Sequence, residues 1–517
     1  TPYTRGEDSG QNQWTWQHYN ATVGYDGTFG RHVVSASAGI LYNIYKTDFS
    51  QNGAAGKMVE YRHMTVNGAV NYAYDDRYVA TFSFAADGSD NYRPGNRWGF
   101  YPSLGLGWIV SRERFLRDSR MVDLLKLRAS VGKNGWDPMG EMRYLWEGYY
   151  TGRGGLNTGN SEHTWHGGTA LSYLPNPDVF AEKSLKYDAG IDLRLWNRLS
   201  LNVDLFLEKR SGIVTQDWMI PGASGVDNPP YRNIGRMTNK GFEVQLSWAD
   251  RIGDFNYALT GMASYNSNKV DYMAEVVTVP TAARTGRRLD ALFGYVADGF
   301  YDWDDFDVGG ELREGLPKPT FGAVQPGDIK YKNLNGDTVI DENDQTAIGD
   351  SYLPKLQYSF SLAASYKGFD LFALFQGAAG RDVNLLDAPL QNVAFRDNGN
   401  VYGIAEGRWA YYPEQGIDTR ATATYPRLSL QDNSNNYRNS TLWKRSGDFL
   451  KLRNVELGYT FAQPSLSKAG ISKIRIYLSG VNLLTVSRLM RDYDIDPEIL
   501  SGHPALKSYN LGLTVTF

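Results

Sequence analysis

The sequence predicts an all-β fold: a transmembrane antiparallel β-barrel to which this chain contributes about fifteen strands, with long loops at one end and short turns at the other. Three observations predict it. Apolar and polar residues alternate with period two along the 517 residues, the connections alternate between long and short, and 14% of residues are aromatic while only 21% are charged. A strand's pleat sends successive side chains to opposite faces, whereas a helix cannot hold such sets apart. A membrane barrel turns one of those faces to lipid and the other to a wet lumen. A mean hydropathy of −0.45 is therefore compatible with it.

Composition removes several other classes. The absence of Cys excludes a disulfide scaffold, Cys-based zinc sites and thiol catalysis. A net charge of −4 gives no reason to expect nucleic acid as a partner. No window approaches the roughly 20 apolar residues of a membrane helix. The chain opens Thr1-Pro2-Tyr3, with neither an initiator Met nor an apolar leader, so any export signal is expected outside it.

Taken in order, the expected strands are 13–25, 32–46, 61–74, 77–86, 97–110, 122–134, 184–195, 198–210, 234–248, 254–270, 354–366, 368–377, 448–462, 472–484 and 505–517. The seventh places Leu185, Tyr187, Ala189, Ile191, Leu193 and Leu195 on one side and Ser184, Lys186, Asp188, Gly190, Asp192 and Arg194 on the other. In the ninth, Phe242, Val244, Leu246 and Trp248 oppose Glu243, Gln245 and Ser247. Around 450–461 the phase slips from Leu450 and Leu452 to Val455, Leu457 and Tyr459, which predicts a bulge near Arg453-Asn454.

Short connections fall at Tyr25-Asp26-Gly27 to Arg31, Asp75-Asp76, Trp196-Asn197, Asp250 to Gly253, Lys367-Gly368 and Gln463 to Ser472. Long ones cover 47–60, 87–96, 135–183, 211–233, 271–353, 378–447 and 485–504, and 111–121 is longish for a turn. Outer-membrane barrels sort their connections this way, short on the periplasmic side and long outside. A soluble β-sandwich does not, and no blade repeat suggests a propeller. Tyr and Trp near strand ends (Trp14, Trp16, Tyr25, Tyr72, Tyr74, Trp108, Trp248, Tyr257, Tyr265) suit interfacial girdles.

Several segments carry a family resemblance. Phe449 to Phe461, Asn239 to Val244, Tyr352 to Tyr358, Ile474 to Leu484 and Tyr493 to Glu498 resemble signatures of SusC/RagA-type TonB-dependent outer-membrane transporters. Pro504 to Phe517 resembles that family's closing strand, whose terminal aromatic is read by the barrel-assembly machinery. The resemblance implies a barrel of about 22 strands, of which this chain would be the C-terminal part, residues 1–517, while the plug domain, TonB box and first seven strands lie outside it. An open wall would leave two unpaired edges in lipid, so the missing strands must be supplied. It also implies the outer membrane of a Gram-negative, Bacteroidetes-like bacterium, a SusD-like surface lipoprotein as partner, TonB as energy source, and oligosaccharides or peptides as imported substrate. No enzymatic activity is expected. A soluble glycan-binding or glycan-cleaving β-protein and a passive porin are the alternatives.

Within the long loop 271–353, residues 333–344 have the spacing of a twelve-residue calcium loop. Asn333, Asn335, Asp337, the Val339 carbonyl, Asp341 and Asp344 would present hard oxygens at positions 1, 3, 5, 7, 9 and 12. Gly336 at position four and a final Asp depart from the EF-hand, and the pattern resembles a dockerin-like loop common in this transporter family. An Asn/Asp/Gly-rich surface turn without metal explains the same residues. His163 and His166 lack a third ligand, and no nucleophile elbow, Walker loop or dinucleotide fingerprint is present. The acidic run Asp298, Asp302, Asp304, Asp305, Asp307 fixes no carboxylate pair. Aromatic loop residues that could stack on a ligand are Trp136, Trp146, Tyr149, Tyr150, Trp165, Tyr173, Trp218, Tyr231, Trp303, Trp409, Tyr411, Tyr412 and Trp443.

Overall fold

Fifteen strands form one antiparallel sheet in which each pairs with its neighbours in sequence. They are β1 Trp14–Phe29, β2 His32–Asp48, β3 Met58–Tyr74, β4 Tyr78–Ser89, β5 Trp98–Ile109, β6 Val122–Trp136, β7 Glu182–Leu195, β8 Leu199–Gln216, β9 Tyr231–Ile252, β10 Phe255–Tyr272, β11 Leu356–Tyr366, β12 Phe369–Ala379, β13 Phe449–Phe461, β14 Lys473–Ser487 and β15 Ser508–Thr516. The computed structural model describes residues 14–48, 58–137, 144–148, 150–158, 164–221, 223, 228–277, 279–387, 395, 400–431, 433–461 and 470–517. Each predicted strand has its counterpart there, apart from its first residue 13 and residue 462, which lie outside that set.

Register explains why the alternation survives over fifteen strands. One cross-strand row reads Leu125, Leu193, Leu201, Leu246, Gly261, Phe360, Phe375, Leu452. The row beside it reads Lys126, Asp192, Asn202, Gln245, Met262, Ser359, Gln376, Lys451. A slip of one residue anywhere would exchange the two faces. On the apolar face Leu205, Leu246, Leu259, Phe360 and Leu457 are exposed, and the rings of Phe360 and Phe375 stack at 4.5 Å. The predicted bulge lies at Arg453, where pairing jumps from Leu452 to Asn454 on both sides of β13.

The short turns follow from backbone chemistry. Asp75 and Asp76 have φ of 52° and 49°, Trp196 and Asn197 have 52° and 51°, and Lys367 and Gly368 have 45° and 92°. Two consecutive left-handed residues fit the right-handed twist of a hairpin. Two turns sit later than their composition suggested. Asp26 and Gly27 pair with Ser35 and Val34, leaving Gly30 and Arg31 to turn, and β9 continues to Ile252 before turning at Gly253. Turn-type residues mark a permitted bend, and the ladder partners decide whether it is used. The long connection 110–121 folds back under its neighbours. Its Glu113 accepts hydrogen bonds from Tyr78 Oη at 2.6 Å and Trp108 Nε1 at 3.2 Å, and pairs with Arg77 at 3.1 Å. In the turn expected at Gln463 to Ser472, residues 463–469 lie outside the described set.

At the opposite end the strands overrun the roughly 9–11 residues a membrane needs. β9 alone has 22 residues. The described residues of the longest connection there are folded. Residues 273–355 contain three small two-stranded pairings: Leu292–Gly294 with Thr346–Gly349, Ala297–Phe300 with Ile329–Tyr331, and Lys318–Pro319 with Val339–Ile340.

Candidate functional site

Two faces and one ordered end give this fold its functional surfaces. The polar face of the sheet carries ion pairs between strands. Arg128 of β6 binds Asp204 of β8, with Nη2 2.6 Å from Oδ2, and approaches Asp192 at 3.3 Å and Asp188 at 3.7 Å. Nearer the short turns, Arg475 of β14 joins Asp370 of β12 and Glu456 of β13. A polar hollow of about 370 Å³ runs across this face between Asn202, Asp204, Glu243, Gln357 and Gln376. Such a wall offers hydrogen bonds to water or a polar solute and no surface for a dry core.

Loops from the long-connection end close over this face. Lys451 of β13 is fully buried beneath residues 488–507, its Nζ 2.8 Å from both Asp496 Oδ1 and Glu498 Oε2. Arg453, the bulge residue, pairs with Glu498 and donates to Gln376 Oε1 at 2.9 Å. Burial pushes the Asp496 carboxyl up, but the Lys451 ammonium and the Glu498 and Ile499 N–H groups outweigh it and hold the group below its ordinary range. Glu498 is lowered in the same way, burial being opposed by Arg453 and Lys451.

The three long connections 273–355, 380–448 and 488–507 share one apolar core of Tyr295, Ile329, Tyr331, Ile340, Val383, Leu385, Ala405, Tyr425, Trp443 and Leu489. A buried polar knot fastens two of them. Asp328, with no exposed surface, accepts hydrogen bonds from Asn433 Nδ2 and Asn436 Nδ2 at 2.9 Å each and from the Gln325 N–H at 2.8 Å, and pairs with Arg427 at 2.7 Å. Asn436 Oδ1 accepts from the Ile329 N–H, and Asn435 donates to the Ile329 carbonyl.

The aromatic candidates separate by this geometry. Trp409 and Trp443 are buried, so they are core and not platforms. Trp146, Tyr173 and Tyr231 pack on the small cluster of Tyr92, Leu145, Val179 and Val214. Tyr411 is stacked by Arg420 at 3.9 Å. Tyr150, Trp165, Trp218, Trp303 and Tyr412 are exposed, while Tyr149 and His163 lie outside the described residues. His166 sits in a hairpin of Tyr150–Thr158 with Thr164–Leu171. Three of the acidic run are spent on structure: Asp302 and Asp305 cap a short 3₁₀ turn, Asp305 pairs with Lys330, and Asp307 closes its own turn, while Asp298 makes an exposed ion pair with Lys332. Trp14 and Trp16 stand apart from the expected girdles. Trp16 is opposite Tyr45, on the face of His18 and Asn43.

In the calcium-like segment, Gly336 takes φ +78° and the oxygens point inward onto backbone N–H groups. Asn333 Oδ1 accepts from Gly336, Asp337 Oδ1 from Val339, Asp341 Oδ1 from Asn343, and Asp344 accepts from both Leu334 and Asp341. Thr338 and Ile340 give their carbonyls to Lys318 and Thr320, so the intervening Val339 carbonyl points away from that segment. Among the described residues, no three His, Cys, Asp or Glu side chains converge on one metal position. The donor set, being all hard oxygen, fits Ca²⁺ better than any softer ion.

Residues 1–483 match the family described as TonB dependent receptor-like, beta-barrel. The chain belongs to that family. It is 26% identical to TonB-dependent receptor P3 of Formosa agariphila over 95% of its own length and 51% of that protein. It is also 26% identical to TonB-dependent receptor SusC of Bacteroides thetaiotaomicron, over 87% of its length and 43% of the relative. The structure of the RagAB peptide transporter superposes with a TM-score of 0.71 at 21% identity, covering 98% of this chain and 56% of that one. The chain thus spans about half the length of the curated relatives it matches. The sheet is accordingly a wall of this family's barrel, and the SusC/RagA resemblance read from Phe449 to Phe461 agrees with these relatives.

Proposed function

We propose that the chain is the C-terminal barrel portion of a TonB-dependent importer in the outer membrane of a Gram-negative bacterium. The observation that carries this reading is the pair of faces: an unbroken apolar row turned away from an ion-paired polar wall, in a chain of this family. In the complete protein, further strands close the barrel to about 22. A plug fills the lumen, TonB supplies energy through it, and a SusD-like lipoprotein covers the long loops. Substrates are oligosaccharides or peptides, held and passed inward without covalent chemistry. The test is uptake by cells bearing the full-length protein. Import that requires both this protein and TonB supports the reading, and import unaffected by loss of TonB would favour a passive porin.

Asn333, Asn335, Asp337, Val339, Asp341 and Asp344 would hold one Ca²⁺, which when bound would stiffen the loop. Such a structural ion stabilises in proportion to its occupancy. Added Ca²⁺ should therefore slow proteolysis between residues 333 and 344, and Asp337→Ala should abolish that protection. Equal cleavage with Ca²⁺ and with chelator would contradict it.

A further inference from the structure

The polar face holds a second cavity, of about 530 Å³, near the long-loop end. That volume lies within the roughly 300–1,000 Å³ of small-molecule sites. Five rings line it: Trp16 of β1, Tyr45 of β2, Tyr61 and His63 of β3, and Trp136 of β6. β6 leaves its ladder with β5 after Gly132, and its end comes into contact with β3. Gly135 permits this, since a side chain there would collide with the Tyr101 ring. Asp137 then locks the contact, accepting from Tyr61 Oη at 2.7 Å, Tyr92 Oη at 2.8 Å and Asn91 Nδ2 at 3.0 Å. On the opposite wall Asp87 is held by Thr65 Oγ1 at 2.6 Å and His63 Nε2 at 2.7 Å.

We infer that this cavity is a subsite for an uncharged sugar ring of the transported substrate. The inference rests on the import reading and adds a substrate class to it. Flat aromatic faces stack on the C–H face of a pyranose, while the Asp87 oxygens and Asp137 Oδ2, each with one partner already, retain a lone pair to accept its hydroxyls. No Lys or Arg lines the cavity. A uronate or sulfated sugar would bring like charge beside Asp87 and Asp137, and the one basic side chain in the lining, His63, is already paired with Asp87. Peptide main chains are disfavoured along part of the lining for a different reason: at Asn43, Tyr45, His63 and Asp87 the backbone is paired on both sides and offers no partner.

The test uses the full-length transporter, purified in detergent, with intrinsic fluorescence and uptake as readouts. Probes are glucan, xylan and mannan hexaoses, oligogalacturonate, and a tryptic peptide mixture. A neutral hexaose is expected to bind and be imported. Trp136→Ala and Tyr45→Ala should each weaken it by about tenfold, while Trp136→Phe retains most binding. Unchanged heat-modifiable migration establishes that each variant is folded. The subsite is overturned if neutral hexaoses are imported but neither alanine variant alters their binding. It is also overturned if only oligogalacturonate or peptides bind, or if no probe binds. In those cases TonB-dependent uptake of another solute would leave the import reading standing, whereas absence of any TonB-dependent uptake would remove both.

Discussion

Replacing Lys451 by methionine is expected to release residues 488–507 from the polar wall. The ammonium is the common partner of Asp496 and Glu498 and is itself fully buried. Its loss leaves Asp496 without its cation in a site with almost no solvent, a change that costs about 3–5 kcal/mol when one member of a buried pair is removed. Arg453 still neutralises Glu498, so the damage should concentrate at Asp496. Limited proteolysis or hydrogen exchange would read it as new exposure between Arg488 and Lys507, with heat-modifiable migration of the barrel unchanged. The double variant Lys451→Met, Asp496→Leu should recover much of the loss, because it removes both charges instead of stranding one. The same clamp has a pH signature. Both carboxyls are lowered in the folded protein. Their contribution is therefore full above the ordinary carboxylate range and drains away as pH falls through the depressed folded values. Protection of 488–507 should fail on acidification and should not fail between neutral and mildly alkaline pH.

Asp328→Ala is the second large effect. Asp328, which has no exposed surface, gathers two buried Asn side chains, one backbone N–H and the partly exposed Arg427 guanidinium. Alanine strands all four donors at once, and the expected cost is again about 3–5 kcal/mol. The loss is local. The 273–355 and 380–448 connections share a core separate from the fifteen-strand ladder, so they should open together while the ladder persists. Hydrogen exchange should rise around Ile329, Tyr331 and Asn433 to Asn436 and stay unchanged at Leu201 and Leu246. If exchange rises uniformly across wall and loops, the two are one cooperative unit and the assignment of Asp328 as a loop fastener is wrong.

The barrel wall was legible in the sequence because its physics is local. Each strand needs only its own parity to declare two faces, and a single parity change declared the Arg453 bulge. The hairpin turns at Asp75-Asp76, Trp196-Asn197 and Lys367-Gly368 were legible for the same reason. What the sequence hid is long-range. Asp328 and Asn433 stand about a hundred residues apart, and 432–436 reads as an ordinary polar turn. Lys451 and Asp496 both lay in segments noted for their family resemblance, yet nothing in either segment announces that they meet. Trp16 was misassigned to a girdle because proximity to a strand end does not fix its face. Its parity with His18 and Asn20 was the available signal. Trp409 and Trp443 looked like ligand platforms because loop aromatics give no sign of whether their loops fold onto one another.

The central claim is that the two faces of this sheet meet different solvents, hydrocarbon and water. The chain contains no Cys, so single cysteines can be placed at 242 to 248 and spin-labelled in the full-length protein reconstituted in lipid. Labels at Phe242, Val244, Leu246 and Trp248 should collide with oxygen dissolved in the bilayer and be shielded from a water-soluble nickel chelate. Those at Glu243, Gln245 and Ser247 should show the reverse. A sheet whose 242, 244, 246 and 248 labels reach neither reagent would be packed against protein, and that result would contradict the barrel.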